Sequence, residues 1–296
     1  MTSFTYKREI RLVCPVCQGK STFLVGHKLG RIVKEEFEVR RCYTCDAIYV
    51  ANPIHRDFLG DIYNETYFSG GGMDDSVNYE ANIKVQDKFF AKYDWQMGHQ
   101  LRQYDLSKGI KWLDVGCALG NTLDWARNRY DAQTFGIELT DYGRKVTKER
   151  GHEVLGTFIE NAVGKSHDQS FDVVSAYEVL EHLYDPMNFF EQVPKLLASG
   201  GVFHYSTGNP PRDPARILSW GYIRPEVHIV FYSPKCMIWI FNKVGLKPHK
   251  RKQYPFVKNK LYSPKLNWKQ KLIYIACWLG VDLLGTFQPD GVRLKN

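Results

Sequence analysis

Apolar segments alternate with helical patterns through the centre of the chain, from residue 111 to about residue 207. The apolar segments are KWLDVG, QTFGIEL, EVLGTF, FDVVSAYEV and GVFHYST, and helical patterns lie between most of them. Segments that are apolar on both faces are typical of parallel strands buried between helices. Strands and helices that alternate in this way predict a doubly wound α/β fold.

Two further helical patterns flank this core. Apolar residues recur at roughly helical spacing from Asn78 to about Tyr104, which predicts one long amphipathic helix. The segment WKQKLIYIACWLGVDLLGTF at residues 268–287 has a helical apolar stripe with lysines near its start. We expect a core or lid helix there, and an interfacial helix that touches a membrane surface is the alternative.

Four of the seven cysteines form two pairs near the N-terminus, Cys14 with Cys17 and Cys42 with Cys45. The pattern between the pairs, from FLVG to FEVR, predicts a hairpin that brings them together. Four thiolates at one point form the tetrahedral site that zinc prefers. A reducing cytosol disfavours two disulfides, and the duplicated spacing disfavours a redox pair or buried free thiols. We therefore predict a small β module that binds a structural Zn²⁺ ion.

A turn of small residues follows the first strand of the core. In LDVGCALGNTL, Gly116, Ala118 and Gly120 occupy alternate positions, so a ligand can approach the backbone. Glu138 ends the second strand, where a carboxylate can accept hydrogen bonds from both hydroxyls of a ribose. The GxGxxG spacing of pyrophosphate-binding sites is absent. The pattern favours a nucleoside-bearing cofactor that has no pyrophosphate.

The same motifs resemble those of a known family. The segment DVGCALG is similar to the DxGxGxG motif of class I S-adenosylmethionine-dependent methyltransferases, with Ala118 in place of the middle glycine. FDVVSAYEVLEHLYDP and KLLASGGVFHYSTGN resemble the fourth and fifth strands of the subgroup that includes the ubiquinone-biosynthesis O-methyltransferases. The resemblance covers about residues 111–246. It implies a Rossmann-like class I methyltransferase fold, with a mostly parallel seven-stranded sheet between helices.

The resemblance implies that S-adenosylmethionine binds at the ends of the first four strands. The implied cofactor-binding residues are Asp114, Gly116, Ala118, Gly120, Glu138, Leu139, Thr157, Phe158 and Tyr177. Among them, Asp114 would line the methionine end, Glu138 would hold the ribose and Tyr177 would lie near the sulfonium. Thr157 and Phe158 would lie by the adenine. The family often has an acid near this point, and Thr157 departs from that pattern.

Methyl transfer from a sulfonium is an in-line displacement, so the protein must align the acceptor and take a proton from a hydroxyl acceptor. His182, after the fourth strand, is one candidate base because imidazole has a suitable pKa. His228, in PEVHIVFYSP, is the other, since related enzymes often have a histidine in this loop. Glu178 is implied to lie beside the acceptor. Glu178, Glu181 and His182 are also a possible ligand set for a divalent ion.

The leading hypothesis is methyl transfer from S-adenosylmethionine to a small-molecule, glycan or lipid-linked acceptor, most simply at an oxygen. One alternative is an RNA methyltransferase that holds nucleic acid with its zinc module. Few basic residues interleave with aromatic ones in that module, which disfavours this alternative. A second alternative is a non-catalytic scaffold, which the intact set of Asp114, Gly116, Gly120 and Glu138 disfavours.

Length and composition limit the domain organisation. The 296 residues, 44% of them hydrophobic, suffice for one α/β core and a smaller module. We expect a zinc module at 1–58, a linker and helix at 59–108, the core at 109–258 and a helix or lid at 259–296. No run of about 18 apolar residues and no signal-peptide pattern occurs, so we expect a cytoplasmic protein. The net charge of +8 is spread along the chain and indicates no particular partner.

Overall fold

The structure, a computed structural model, describes residues 6–71, 78–102, 104, 106–164, 166–248 and 290–294. It begins with a small antiparallel sheet, whose first strands are β1 (Thr22–Leu29), β2 (Glu36–Cys42) and β3 (Ile48–Val50). The hairpin of β1 and β2 confirms the pattern predicted between the cysteine pairs. Residues 6–58 are called the cysteine module below.

Short helices connect the cysteine module to the core. They are α1 (Leu59–Ile62), α2 (Glu65–Phe68), α3 (Tyr79–Ile83), α4 (Gln86–Tyr93) and α5 (His99–Leu101), with a π-helical turn at Asp94–Gly98. The prediction of one long helix from Asn78 to Tyr104 is therefore wrong. The break falls at Val85, which leaves the helical region with a φ of −124° and is largely exposed. An exposed apolar residue gives the helix no burial to sustain it through this point.

The remaining elements alternate between strand and helix. In chain order they are β4 (Lys111–Val115), α6 (Asn121–Tyr130), β5 (Gln133–Ile137), α7 (Asp141–Glu149), β6 (Glu153–Gly156), β7 (Phe171–Tyr177), α8 (Pro186–Leu196), β8 (Leu197–Ser206), β9 (Val230–Phe231), α9 (Pro234–Val244), β10 (Leu246–Pro248) and β11 (Asp290–Leu294). All strands of this group except β9 form one large sheet, in the order β10-β11-β8-β7-β4-β5-β6.

The large sheet confirms the expected Rossmann-like arrangement. Its continuous parallel part contains five strands, from β6 through β5, β4 and β7 to β8. β11 completes the sheet by pairing antiparallel with both β8 and β10. The winding reverses at β4, because β5 lies on one side of it and β7 on the other. Ligands bind beyond the carboxyl ends of the strands at such a point.

Side chains that alternate along the strands cover both faces of the large sheet. On β7, Val173 packs in one buried cluster with Trp112 and Trp125, whereas Val174 packs in another with Phe190. The rings of Trp112 and Trp125 meet edge to face at 5.7 Å. The sheet is therefore buried between two helical layers, as the continuous apolar segments predict.

The cysteine module and the core share backbone pairing. β9 of the core pairs antiparallel with β3 of the module, with Ile48 opposite Phe231, so the small sheet has the order β1-β2-β3-β9. The hydroxyl of Ser233 donates to Asp46 over 2.6 Å. The Nζ of Lys28 donates to the carbonyl of Leu218 over 2.7 Å. The module is thus built into the core rather than attached by a linker alone.

The C-terminal part differs from the expected division at residue 258. β11, at residues 290–294, belongs to the large sheet, so the core extends beyond that boundary. The amphipathic helix predicted at 268–287 lies outside the described residues. Within the described part of the chain, no helix has the length and apolar character needed to cross a membrane.

Candidate active site

The turn of small residues joins β4 to α6 and opens to solvent at one point. Gly116, Ala118 and Gly120 have positive φ angles of 74°, 50° and 81°. A Cβ on Gly116 would lie 2.5 Å from a methyl carbon of Val179, so both the backbone and the space require glycine there. Gly116 is exposed, whereas the other residues from 112 to 126 are buried. A ligand can therefore contact the turn at the backbone of Gly116.

Glu138 lies buried against this turn. Its Oε2 accepts a hydrogen bond from the backbone N–H of Ala118 over 3.0 Å. Its Oε1 accepts from the backbone N–H and the hydroxyl of Thr140 over 2.9 and 2.8 Å. Burial raises the pKa of Glu138, against the hydrogen bonds from Thr140 and Ala118. A carboxylate oxygen accepts two hydrogen bonds, so Oε2 keeps capacity for a hydroxyl of a ligand.

Asp114 is buried at the end of β4. Its Oδ1 accepts from the hydroxyl of Ser175 over 2.6 Å, and Ser175 in turn accepts from the indole N–H of Trp112 over 2.8 Å. Burial raises the pKa of Asp114 to about 7, and the nearby charge of Glu138 adds to the effect. Close by in the chain, the buried Nδ2 of Asn121 has no hydrogen-bond partner among the described residues. A buried carboxyl group and a buried amide donor without a partner among the described residues thus lie beside the turn.

The loop after β6 carries the two residues expected beside an adenine. The backbone N–H groups of Thr157 and Phe158 both donate to Oδ1 of Asn161, over 2.9 and 2.8 Å. The ring of Phe158 is 57% exposed, so a flat apolar surface faces outward. Sequence reasoning missed Asn161, although Asn side chains often accept hydrogen bonds from nearby backbone N–H groups in turns. Leu139 is half-buried, and its carbonyl accepts from Arg144.

Tyr177 ends β7, and its side chain contacts the interior. Its hydroxyl lies 2.8 Å from Nδ1 of His204 on β8. Burial lowers the pKa of His204 to about 3, so this imidazole is neutral. The hydroxyl of Tyr177 is therefore hydrogen-bonded within the protein. Only the ring or the backbone of Tyr177 would contact a ligand.

Just beyond β7, two acids and two histidines from different segments come together. We call Glu178, Glu181, His182 and His228 the Glu-His cluster. Glu181, His182 and His228 each offer one ligand atom, and these atoms lie within 4.8 Å of one another. The ring centroids of His182 and His228 are 4.8 Å apart. The two candidate bases are thus neighbours in one pocket.

The two carboxylates of the Glu-His cluster are linked by hydroxyl groups. The hydroxyl of Tyr222 lies 2.9 Å from Oε2 of Glu178 and also contacts Oε1 of Glu181. Ser206 donates to Glu178 over 3.3 Å, and Thr207 donates to Glu181 over 2.8 Å. Desolvation and the neighbouring Glu181 carboxylate raise the pKa of Glu178 to about 8. Glu178 also has a φ of 55°, an unfavourable backbone conformation of the kind that concentrates at functional sites.

Backbone carbonyls orient both histidines. Nδ1 of His182 lies 2.9 Å from the carbonyl oxygen of Val227, and Nδ1 of His228 lies 2.7 Å from that of Tyr222. A carbonyl oxygen only accepts, so these contacts favour the tautomer with the proton on Nδ1 and the lone pair on Nε2. Nε2 of His182 lies 3.9 Å from Oε1 of Glu181. This orientation is typical of histidines that bind a metal, and it also suits a general base.

The linker after the cysteine module contacts both halves of the site. The hydroxyl of Tyr63 lies 2.7 Å from Nδ1 of His182. The buried ring of Phe68 packs with Ala118 and Leu119 of the small-residue turn. Sequence reasoning assigned no role to Tyr63 or Phe68. The several aromatic residues between 58 and 68 could have indicated that this segment packs against the site. The linker therefore connects the turn to the Glu-His cluster.

The four predicted cysteines converge in the cysteine module. The Sγ atoms of Cys14 and Cys45 are 3.6 Å apart, those of Cys17 and Cys42 are 3.4 Å apart, and all four lie within 4.8 Å of one another. Two sulfurs bound to a tetrahedral zinc ion at 2.3 Å are about 3.8 Å apart. The donor set and its spacing therefore fit Zn²⁺. Four thiolates would leave no open position on the metal, which favours a structural role.

Comparison with known proteins gives consistent results. Residues 90–250 match the family model described as a methyltransferase domain. The chain is 34% identical over 111 residues to the ubiquinone biosynthesis O-methyltransferase of Actinobacillus pleuropneumoniae serotype 5b, covering 34% of this chain and 47% of that protein. It is 33% identical over 134 residues to that of Idiomarina loihiensis, covering 43% and 52%. The chain thus spans about half the length of the curated relatives it matches.

Among solved structures, a chain from the complex between the Haloferax volcanii Trm112 methyltransferase activator and a methyltransferase superposes with a TM-score of 0.51. The two chains are 14% identical, and the match covers 74% of this chain and 97% of that one. At this level of identity the likeness concerns the fold alone.

Proposed function

Because this chain belongs to the methyltransferase domain family, we propose that it transfers a methyl group from S-adenosylmethionine to an oxygen of a small-molecule, glycan or lipid-linked acceptor. One observation carries the proposal. The open turn at Gly116 and the Glu-His cluster lie at the carboxyl ends of neighbouring strands, β4 and β7. A cofactor bound at the turn would have its reactive end near the cluster.

The groups around the turn suit the parts of S-adenosylmethionine. Oε2 of Glu138 accepts a hydrogen bond from one ribose hydroxyl, and the exposed ring of Phe158 packs against the adenine. The amide of Asn121 donates to the carboxylate of the methionine end, and Asp114 accepts from its ammonium group. The bare backbone of Gly116 lets this end lie close to the turn. In support, the Phe158 ring is exposed, Oε2 of Glu138 can accept one more hydrogen bond, and Nδ2 of Asn121 has no partner among the described residues.

For the Glu-His cluster, we propose that Glu181, His182 and His228 hold a divalent cation, with Glu178 beside them. Two desolvated carboxylates that share the hydroxyl of Tyr222 repel each other, and a positive charge between them would remove that repulsion. Imidazole nitrogens and carboxylate oxygens together suit Zn²⁺, Mn²⁺ or Fe²⁺. When bound, such a cation lowers the pKa of an acceptor hydroxyl and orients its oxygen.

The chain's own groups can also take the proton of the acceptor. His182 is half-buried and its Nε2 keeps a lone pair, so it is the more accessible base. His228 is 5% exposed, and its ring centroid lies 4.8 Å from that of His182. We therefore propose that both histidines act in catalysis, either as the bases expected from the sequence or as cation ligands. The dependence of methyl transfer on added divalent cation distinguishes a ligand role from a base role.

The charge distribution of the cysteine module gives an RNA acceptor little support. At least five of its arginines are engaged in ion pairs within the module, namely Arg8, Arg11, Arg40, Arg41 and Arg56. Nucleic-acid binding requires basic groups that are available to phosphates along a groove. The small-molecule or glycan acceptor remains the better-supported class.

The proposal is tested with the full-length protein, labelled S-adenosylmethionine and a panel of phenolic, sugar and lipid-linked acceptors. Glu181→Gln and His228→Ala should lower methyl transfer by roughly 100-fold or more, because they remove groups at the reacting oxygen. Cofactor affinity, measured by calorimetry, should change less than about two-fold, since neither residue is assigned to the cofactor. His27→Ala, on β1, is the matched control.

Titration with Mn²⁺ gives a second readout for the same variants. Binding to the wild type and to His27→Ala, with loss in Glu181→Gln and His228→Ala, supports the cation site. A protein that binds no S-adenosylmethionine contradicts the proposed function. Full activity in both cluster variants contradicts the role of the Glu-His cluster.

A further inference from the structure

A cavity of about 370 Å³ lies where the cysteine module meets the core. Arg41 and Asp46 line it from the module, and Pro210, Arg212 and Lys235 line it from the core. We call it the junction cavity. Its volume is within the range of about 300–1,000 Å³ that is usual for small-molecule sites.

The junction cavity is positively charged. Its only lining carboxylate among the described residues, Asp46, accepts two hydrogen bonds from Arg41, over 2.8 and 3.1 Å, and one from Ser233 over 2.6 Å. Those hydrogen bonds and the charges of Arg41 and Lys235 outweigh burial and lower the pKa of Asp46. Since Arg41 compensates Asp46, the net charge of the cavity comes from Arg212 and Lys235.

Arg212 and Lys235 are both exposed, and within the described ranges neither forms an ion pair. Lys235 also lies in the first turn of α9, a helix of 11 residues that Ser233 caps. The positive end of the helix dipole adds to the charge of the two side chains. The combination of a guanidinium, an ammonium and this dipole favours a multiply charged oxyanion.

The loop after β8 connects the junction cavity to the Glu-His cluster. Thr207 donates to Glu181 of the cluster, and Pro210 of the same loop lines the cavity. Three residues of extended chain span at most about 11 Å, so the cavity begins within that distance of Thr207. The cavity and the cluster are therefore neighbours in the fold.

We propose that the junction cavity binds a phosphate or diphosphate group of the methyl acceptor, while a hydroxyl of the same molecule reaches the Glu-His cluster. This inference rests on the proposed function and narrows its substrate class to phosphorylated molecules. Arg212 and Lys235 contact the phosphate oxygens, and the Arg41–Asp46 ion pair, which carries no net charge, forms the wall on the module side. A nucleoside diphosphate and a lipid diphosphate share this chemistry.

The cysteine module then contributes directly to acceptor binding. Arg41 and Asp46 immediately flank the second cysteine pair, Cys42 and Cys45. Zinc held by these thiolates would fix the wall that carries Arg41. The small sheet would thus serve as one side of the acceptor site.

Calorimetry on the full-length, zinc-loaded protein tests the proposal with inorganic pyrophosphate, UDP and farnesyl diphosphate as probes. The double variant Arg212→Ala/Lys235→Ala should bind pyrophosphate at least about ten-fold more weakly, since it loses two charge-assisted contacts. The control is Lys108→Ala/Lys148→Ala, which removes the same charge from two exposed lysines outside the cavity. Its affinity for pyrophosphate should stay within about two-fold of the wild type, because distant surface charges are screened by salt. Preference for UDP or for farnesyl diphosphate identifies a nucleotide-linked or a lipid-linked acceptor.

Three outcomes overturn the proposal: no binding of any probe, equal weakening in both double variants, or tighter binding of a short single-stranded RNA that Arg212→Ala/Lys235→Ala abolishes. The last outcome identifies a nucleic-acid partner instead. S-adenosylmethionine binding is measured on the same samples. Its failure counts against the proposed function, whereas failure of pyrophosphate binding alone counts only against the junction cavity.

Discussion

The hydroxyl of Tyr222 lies between two carboxylates, 2.9 Å from Oε2 of Glu178 and in contact with Oε1 of Glu181. A phenol has one proton, so it donates to only one of them at a time. The other contact requires a proton on a carboxyl group, in agreement with the raised pKa of Glu178. A pocket that draws in a proton in this way also attracts a cation, which is the physical basis of the proposed metal site.

Glu138→Ala should weaken S-adenosylmethionine binding about 10- to 100-fold. The variant removes the acceptor of a ribose hydroxyl, and a hydrogen bond to a charged group contributes roughly 1.5–3 kcal/mol. Calorimetry measures the change. Glu149→Gln, on the exposed end of α7, is the control and should bind normally. Wild-type affinity in Glu138→Ala would rule out the ribose assignment.

Gly116→Ala should lose cofactor binding and unfold at lower urea concentration than Gly109→Ala. Both glycines have similar positive φ angles, 74° and 79°, so both variants carry a backbone cost of about 1–2 kcal/mol. Only the Cβ at position 116 meets another residue, Val179, while nothing lies within 4 Å at position 109. We expect that overlap to lower the free energy of unfolding of Gly116→Ala by about a further 1–3 kcal/mol. Equal stability of the two variants would contradict the close packing at Gly116.

Asp114 should make the cofactor-free protein less stable as the pH rises from about 4 to about 7. Its pKa of about 7 in the folded state is above the value in the unfolded chain, so the folded state binds the proton more tightly. Stability therefore falls over this window and levels off above it. Thermal unfolding of wild type and Asp114→Asn across the window measures the difference. Parallel pH profiles would mean that Asp114 does not titrate there.

The protein should contain about one zinc ion per chain, as four thiolates saturate one tetrahedral metal. Cys42→Ser should lose the metal and unfold at lower temperature, since metal binding stabilises the folded module. Elemental analysis and thermal unfolding provide the measurements. Cys117 is a buried cysteine of the core, outside the four-cysteine site, so the Cys117→Ser variant should retain full zinc content. Full zinc content in Cys42→Ser would exclude that residue from the site.

Tyr63→Phe should lower kcat about 10-fold or more while KM for the cofactor changes little. The variant removes only the hydroxyl beside Nδ1 of His182, and outer hydrogen bonds of this type commonly affect activity 10- to 100-fold. Steady-state kinetics separates the two constants. Tyr43→Phe, on an exposed tyrosine of the cysteine module, is the control. A change confined to KM would assign Tyr63 to cofactor binding instead.

The sequence predicts those parts of the site that follow from local pattern. Asp114 and Glu138 each end an apolar strand, and the parallel order of strands brings their ends together. The cysteine pairs converge because a hairpin lies between them. In each case, short-range pattern and general rules of sheet topology suffice.

Other features depend on how distant segments pack. The sequence presents His182 and His228 as alternative bases, whereas the structure places their rings in contact because the loop before β9 folds back onto the end of β7. The break in the predicted helix at Val85 depends on which side chains are buried, and periodicity alone does not reveal this. β11 enters the sheet from far along the chain, beyond the reach of any local pattern.

The pairing of β9 with β3 has a consequence for engineering the chain. A truncation that begins at residue 59 would strip β9 of its neighbour and uncover Phe231, leaving an apolar sheet edge able to recruit other molecules. A clone of the catalytic half alone should therefore precipitate or form aggregates. The cysteine module and the core share one sheet, so they should be expressed, swapped or redesigned as one unit.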